Sequence, residues 1–154
     1  MNRESEYITV NRASRKELLN FLNACDNNFS PRLSSRVNIE EYSLKLYSKA
    51  VNFEYWLFRQ LIGMVSMYTN REQNNSGYIT NVSVIGEYAG KGIASQLLRN
   101  CLEFSKKQEL GELKLEVSKE NEVAIKLYKK FGFSFFEANE YSFIMQLKLA
   151  LRRF

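Results

Sequence analysis

The chain has 154 residues, 45% of them apolar, with 11 Phe and 9 Tyr, which suits one domain built around its own core. It contains no histidine, which excludes Ser-His-Asp and Cys-His nucleophile activation, the HExxH zinc site and imidazole acid-base catalysis. A formal charge of +5 attracts anions of any kind, and two cysteines, Cys25 and Cys101, supply neither a disulfide framework nor a CxxC metal or redox spacing.

Met1 to Glu6 is polar and lacks the apolar core of a signal peptide, and no later stretch reaches the length of a membrane span. A soluble, cytoplasmic protein without a membrane partner is therefore expected. Basic pairs at Lys106-Lys107, Lys129-Lys130 and Arg152-Arg153 are scattered and read as solvated faces. No strand interleaves basic and aromatic residues on one face, so nucleic acid is not an expected partner.

Tyr7 to Val10 alternates as a short strand, and Ser14-Arg15-Lys16-Glu17 is a capping box that opens a helix carrying Leu18, Leu19 and Leu22. A polar connection, Asn23 to Val37, holds the only proline, Pro31. Asn38-Ile39-Glu40-Glu41 then caps a second helix with the stripe Ile39, Tyr42, Leu46 and Ala50. Phe53 to Phe58 and Leu61 to Tyr68, parted by Arg59-Gln60, predict an antiparallel hairpin. After a polar loop, Asn70 to Gly77, comes the strand Tyr78 to Val84, then a helix from Gly90 to about Gln108 with Ile93, Leu97, Cys101 and Phe104 at helical spacing. On this reading Cys101 is a core residue. Leu113 to Val117 is a strand, Asn121 to Phe131 a helix stopped by Gly132, and Phe133 to Phe136 and Tyr141 to Leu149 are final strands. The order β1-α1-α2-β2-β3-β4-α3-β5-α4-β6-β7 implies an α/β fold with a mixed sheet in one domain spanning 1–154.

Two segments carry chemistry. Val82-Ser83-Val84, followed by Ala89-Gly90-Lys91-Gly92-Ile93-Ala94-Ser95, leads from a strand through a glycine turn into a helix. Free N–H groups and the positive end of the helix dipole there suit a phosphate. In the second, Asn121 and Tyr128 stand seven residues apart, two turns along one helical face. Together these segments resemble the GNAT acetyltransferase superfamily. Its Q/R-x-x-G-x-G/A motif matches Ala89 to Ala94 except at Ala89, and its N-x-x-A-x-x-L-Y-x-x-x-G-F motif matches Asn121 to Phe133 throughout.

The resemblance implies acetyl-CoA as co-substrate, with no metal. It places the backbone of Val82 and Val84, with Ser83 between them, along the pantetheine arm, Gly90, Lys91, Gly92, Ile93, Ala94 and Ser95 on the pyrophosphate, and Asn121 farther along. It makes Tyr128 the general acid for the departing thiolate, the N–H of Val84 the oxyanion donor, and Glu116 the base, matching the branch that acetylates ribosomal-protein N-termini. Alternation puts Lys114, Glu116 and Ser118 on one strand face, so Glu116 is equally readable as solvent-facing or paired with Lys114. The acceptor pocket falls to Asn23 to Val37 and Glu137 to Glu140. Phe29, Trp56, Tyr68 and Tyr141 are candidate walls, though such aromatics more often belong to the core. The acceptor is a small-molecule or peptide amine, and a homodimer is left open. A nonenzymatic acyl-CoA-binding module and a basic RNA-binding domain are the competing readings.

Overall fold

A computed structural model describes residues 5–29, 31–72 and 74–150. The expected order of elements is present: β1 (Glu6–Val10), α1 (Arg15–Cys25), α2 (Ile39–Lys49), β2 (Val51–Leu57), β3 (Gln60–Asn70), β4 (Ser76–Val84), α3 (Ile93–Lys107), β5 (Glu112–Ser118), α4 (Glu122–Lys130), β6 (Ser134–Ala138) and β7 (Ser142–Lys148). The seven strands form one sheet in the order β1-β2-β3-β4-β5-β7-β6, antiparallel except for the central pair β4–β5. That parallel pair needs a crossover, which α3 supplies.

Amphipathic helices cover both faces. Leu18, Phe21 and Leu22 of α1 and Leu46 of α2 pack on Trp56, Leu61 and Met64. On the other face Leu97, Leu98 and Cys101 of α3 pack on Val65, Met67, Leu113 and Leu115. Both cysteines are buried and free, and burial pushes each thiol up to about 12, so neither is an available nucleophile at neutral pH. Ser14 caps α1 with the full reciprocal box to Glu17, and the Asn38 side chain caps α2. Glu54, 1% exposed, accepts from the Thr9 hydroxyl (2.7 Å) and the backbone N–H of Arg12 (2.8 Å) and Ala13 (2.9 Å), fixing the corner from β1 into α1.

Several boundaries differ from expectation for a local reason. The hairpin turn is Phe58-Arg59, one residue early, because both adopt left-handed φ (48° and 64°), the mirror-image turn that suits strand twist. β3 and β4 run further into the predicted 70–77 loop because they pair out to Asn70 and Ser76. α3 begins at Ile93 rather than Gly90, since Gly90 (φ 77°) and Gly92 (φ 82°) are left-handed and cannot continue a helix. Glu137 lies within β6, outside the loop expected to carry it. Arg152-Arg153 fall outside the described residues. No helix among the described residues is long and apolar enough to cross a membrane.

Candidate active site

The site originates in a parting of strands. β4 and β5 pair only from Ser76 with Glu112 to Ile79 with Leu115, yet β4 continues to Val84 and β5 to Ser118. The parting coincides with a bulge. Across β3, Ser66 faces Asn81 while Met67 faces Ile79, so Thr80 is an extra residue in β4. A bulge bends its strand and increases local twist, which turns the C-terminal half of β4 away from β5. The resulting cleft, of about 460 Å³, is walled by Val82, Ser83 and Val84 on one side and Leu115, Val117 and Tyr128 on the other.

The pleat decides which backbone groups face this cleft. The Ile85 N–H donates to Ile62 O of β3 (2.9 Å), so alternation turns the N–H and C=O of Val84 and Val82 away from β3. The Val84 carbonyl already accepts from the Asn28 side-chain amide at 3.1 Å, which pins the α1–α2 connection to the end of β4. An open strand edge of this kind can pair with an extended, amide-bearing ligand as another strand would.

Beyond β4 the chain makes a short 3-10 turn, Gly86–Tyr88, and reverses through Gly90 and Gly92 into α3. Gly92 caps the helix without a side chain, so the N–H groups of the first turn, from Ile93 to Ser95, carry no side-chain cap and stand at the positive end of the dipole. A Cβ added at Gly90 or Gly92 meets nothing within 4 Å, so backbone conformation rather than space selects glycine there. Gly90, Gly92, Ile93, Ala94 and Ser95 line the cleft. Lys91 is not among the lining residues. Its ammonium lies 5.6 Å from the Tyr88 ring centroid, which leaves its backbone to serve the turn.

Tyr128 is set by the end of α4. Gly132 (φ 100°) closes the helix, with its N–H on Lys129 O (3.0 Å) and the Phe133 N–H on Tyr128 O (3.0 Å). This motif folds Phe133 back on the Tyr128 ring, edge-on at 6.0 Å between centroids. Tyr128 is 6% exposed, burial raises its phenol well above the ordinary value, and no hydrogen bond to its hydroxyl is seen among the described residues. It is therefore a donor at any physiological pH. Asn121 is the N-cap of α4, its side-chain oxygen accepting from the Ala124 N–H (3.1 Å), and it also lines the cleft. Sequence period alone did not separate that capping role from a ligand contact.

Glu116 is exposed on β5, and Lys114 is not its partner: the Lys114 ammonium lies 4.0 Å from Glu112 and 4.3 Å from the Phe136 ring. Glu116 instead stands where the cleft meets a second cavity of about 870 Å³, lined by Arg36, Lys119, Glu120, Asn139, Glu140 and Tyr141 among others. Arg36, Glu116 and Ser118 belong to both. The Tyr78 phenol is raised by burial first and by the Glu116 charge second. Of the expected acceptor walls, Phe29 lines the cleft and Tyr141 the second cavity, but Trp56 and Tyr68 belong to the α1–α2 core. Trp56 is engaged by Tyr7 (stacked, 6.0 Å) and Thr9 (2.7 Å).

Asn28 and Arg36 fall within the expected acceptor segment Asn23 to Val37 without having been singled out, whereas Asn81 was not expected at the site. Asn81, 3% exposed and on the cleft wall, accepts from the Ser83 hydroxyl while its side-chain nitrogen has no partner. The α1–α2 connection is ordered by Asp26, whose carboxylate accepts from the Ser34 N–H and hydroxyl (2.7 Å each), hydrogen bonds that lower its pKa.

Comparisons with known proteins bear on the family and the fold. N-alpha-acetyltransferase 30 of Schizosaccharomyces pombe is 37% identical over 57 residues, 37% of this chain and 38% of that protein. L-2,4-diaminobutyric acid acetyltransferase of Vibrio cholerae is 31% identical over 70 residues, 46% of this chain and 40% of that protein. The matches thus span two fifths or less of these curated relatives. In fold, the chain superposes on ribosomal-protein-S18-alanine N-acetyltransferase from Escherichia coli with a TM-score of 0.77 (16% identity, covering 96% of this chain and 97% of that one). It also superposes on PaiA N-acetyltransferase from Thermoplasma acidophilum in complex with coenzyme A, with a TM-score of 0.72 (20% identity, 93% and 99%). The family model described as "Acetyltransferase (GNAT) family" matches residues 16–133, and with the cleft, the glycine turn and Tyr128 inside that span, the chain belongs to the GNAT acetyltransferase family.

Proposed function

We propose that this protein moves an acetyl group from acetyl-CoA to a primary amine by direct attack with both substrates bound. The observation that carries the reading is the meeting of two cavities at Glu116, one walled by the open edge of β4 and by Tyr128, the other open toward Glu140 and Tyr141. A donor bound along β4 and an acceptor entering from the second cavity would come together there, converting a bimolecular encounter into an oriented one.

Each residue has a defined task. Gly90, Lys91, Gly92, Ile93, Ala94 and Ser95 hold the pyrophosphate through backbone N–H groups, and Val82 and Val84, flanking Ser83, pair with the pantetheine arm while Asn121 contacts it farther along. An alkyl ammonium of pKa near 10.4 needs roughly 4–5 kcal/mol to become a nucleophile at neutral pH. Glu116, directly or through water, takes that proton. As the amine nitrogen bonds to the thioester carbon, the Val84 N–H donates to the carbonyl oxygen that gains charge. Tyr128 protonates the sulfur as the carbon–sulfur bond breaks. Relatives whose names include acceptors as different as a diamino acid and a ribosomal-protein alanine give no reason to choose one skeleton for this acceptor.

The test has two stages. Acetyl-CoA at about a hundred times its dissociation constant should stabilise the fold by about 2.7 kcal/mol, a melting shift of roughly 5–10 °C. Thiol release should then appear with at least one member of a panel of amino acids, polyamines, amino sugars and peptides. No melting shift sinks the reading, and a shift without thiol release leaves an acyl-CoA-binding module in its place.

A further inference from the structure

The parting of β4 from β5 needs something to hold it. Up to Ile79 the two strands form an ordinary parallel ladder, and nothing in the residue types that follow, Thr80-Asn81-Val82 against Glu116-Val117-Ser118, forbids its continuation. A zipped ladder would consume the N–H and C=O groups on which the proposed cofactor site depends. The bulge at Thr80 prevents this, yet it takes the partly buried Thr80 carbonyl out of register and leaves it to find a partner other than β3. The group that pairs it comes from another layer. Tyr42 of α2 reaches across with its hydroxyl 3.0 Å from the Thr80 carbonyl and 2.9 Å from the Thr80 hydroxyl. One phenol thus engages both the carbonyl and the hydroxyl of the bulged residue.

We infer that Tyr42 is a positioning residue for cofactor binding: its hydroxyl pins the bulge at Thr80 and so keeps β4 open along the edge that pairs with acetyl-CoA. This rests on the proposed function for the identity of the ligand and on the two contacts between Tyr42 and Thr80 for the clamp. Burial raises the Tyr42 phenol to about 12, Arg36 and the phenols of Tyr68 and Tyr78 being the charged and titratable groups around it, so the donor persists through the physiological range. The hydroxyl touches no reacting atom. Its effect runs through the population of the open strand, and the apparent dissociation constant rises by the factor by which that population falls.

Tyr42→Phe keeps the ring and removes the clamp. We expect the dissociation constant of coenzyme A, measured calorimetrically without any acceptor, to rise about tenfold, while turnover at saturating acetyl-CoA stays within about threefold of the parent. Ser43→Ala serves as the matched control. It removes a hydrogen bond of the same helix that does not involve Thr80, Ser43 hydroxyl to Glu40 O at 2.8 Å, and should leave coenzyme A affinity unchanged whatever its effect on the melting temperature. If Tyr42→Phe is not folded alone, all three proteins are compared in trimethylamine N-oxide, which favours the compact state. Equal affinity in Tyr42→Phe and the parent, or an equal loss in Ser43→Ala, overturns the inference. A parent protein that binds no coenzyme A overturns the proposed function instead.

Discussion

Tyr128→Phe separates a chemical role from a structural one because the two roles predict different effects on stability and turnover. The substitution leaves the ring edge-on to Phe133 at 6.0 Å and leaves the two main-chain hydrogen bonds that close α4. What it removes is a hydroxyl at a site 6% exposed for which no protein partner is seen. Removing a hydroxyl that faces the cleft and makes no protein hydrogen bond costs little, so the melting temperature should stay within about 2 °C of the parent. Coenzyme A affinity should stay within about threefold, since the contacts assigned to the cofactor come from β4, the glycine turn and Asn121, none of which the substitution alters. Turnover should fall by about 10²–10⁴, the usual contribution of a general acid, equal to about 3–5 kcal/mol of barrier. The assay is thiol release at saturating acetyl-CoA with the best amine of the panel, with calorimetry for affinity and a melting curve for the fold. Turnover within threefold of the parent would refute the acid role, and a parallel loss of stability and affinity would show that Tyr128 serves packing.

Three further outcomes are expected. Glu116→Gln should move the pH–activity profile toward higher pH, because the amine must then lose its proton to solvent, and superimposable profiles would exclude Glu116 as base. Gly132→Ala forces a side chain to φ 100° and sets a Cβ 3.2 Å from a Leu147 methyl. It should lose about 1–2 kcal/mol, a melting drop of roughly 2–8 °C, and an unchanged melting temperature would show that the α4 terminus tolerates the strain. Stability should fall on the alkaline side. Cys25 and Cys101 are raised from 9.0, and Tyr42 from 10.0, each to about 12. The folded state keeps protons that the unfolded chain releases, so this contribution is complete below about pH 9 and is lost as pH rises toward 12. Denaturant midpoints should therefore be lower at pH 10.5 than at pH 8, and equal midpoints would contradict the burial of these groups.

Much of the architecture was legible because its signals are local. Ser14 with Glu17, Asn38 before Ile39, and Gly132 after Phe131 mark helix ends through contacts three or four residues long. Apolar period reads helix from strand, and the glycine turn before α3 and the run from Asn121 to Phe133 are each one continuous segment, so both stood out in the chain. The reading failed where two conformations share one composition. It began α3 at Gly90 because a sequence does not state the sign of φ, and it placed Glu137 in a loop that pairing with β7 converts to strand.

The cleft itself was decided elsewhere. A bulge is a mismatch in count between two strands, so Thr80 is ordinary until β3 is laid beside β4. Tyr42 reads as one more apolar-stripe residue until its hydroxyl is found on Thr80, 38 positions away, and Asn28 as a loop asparagine until it meets Val84, 56 positions away. The choice between a paired and an open Glu116 turned on Lys114 leaning to Glu112 and Phe136, and on two cavities bounded by distant loops. Residue type and short-range period specify which elements form, since those follow from neighbours in the chain. Which strand edges stay open, and what stands against them, depends on register and on packing between layers, and only the folded chain brings those groups together.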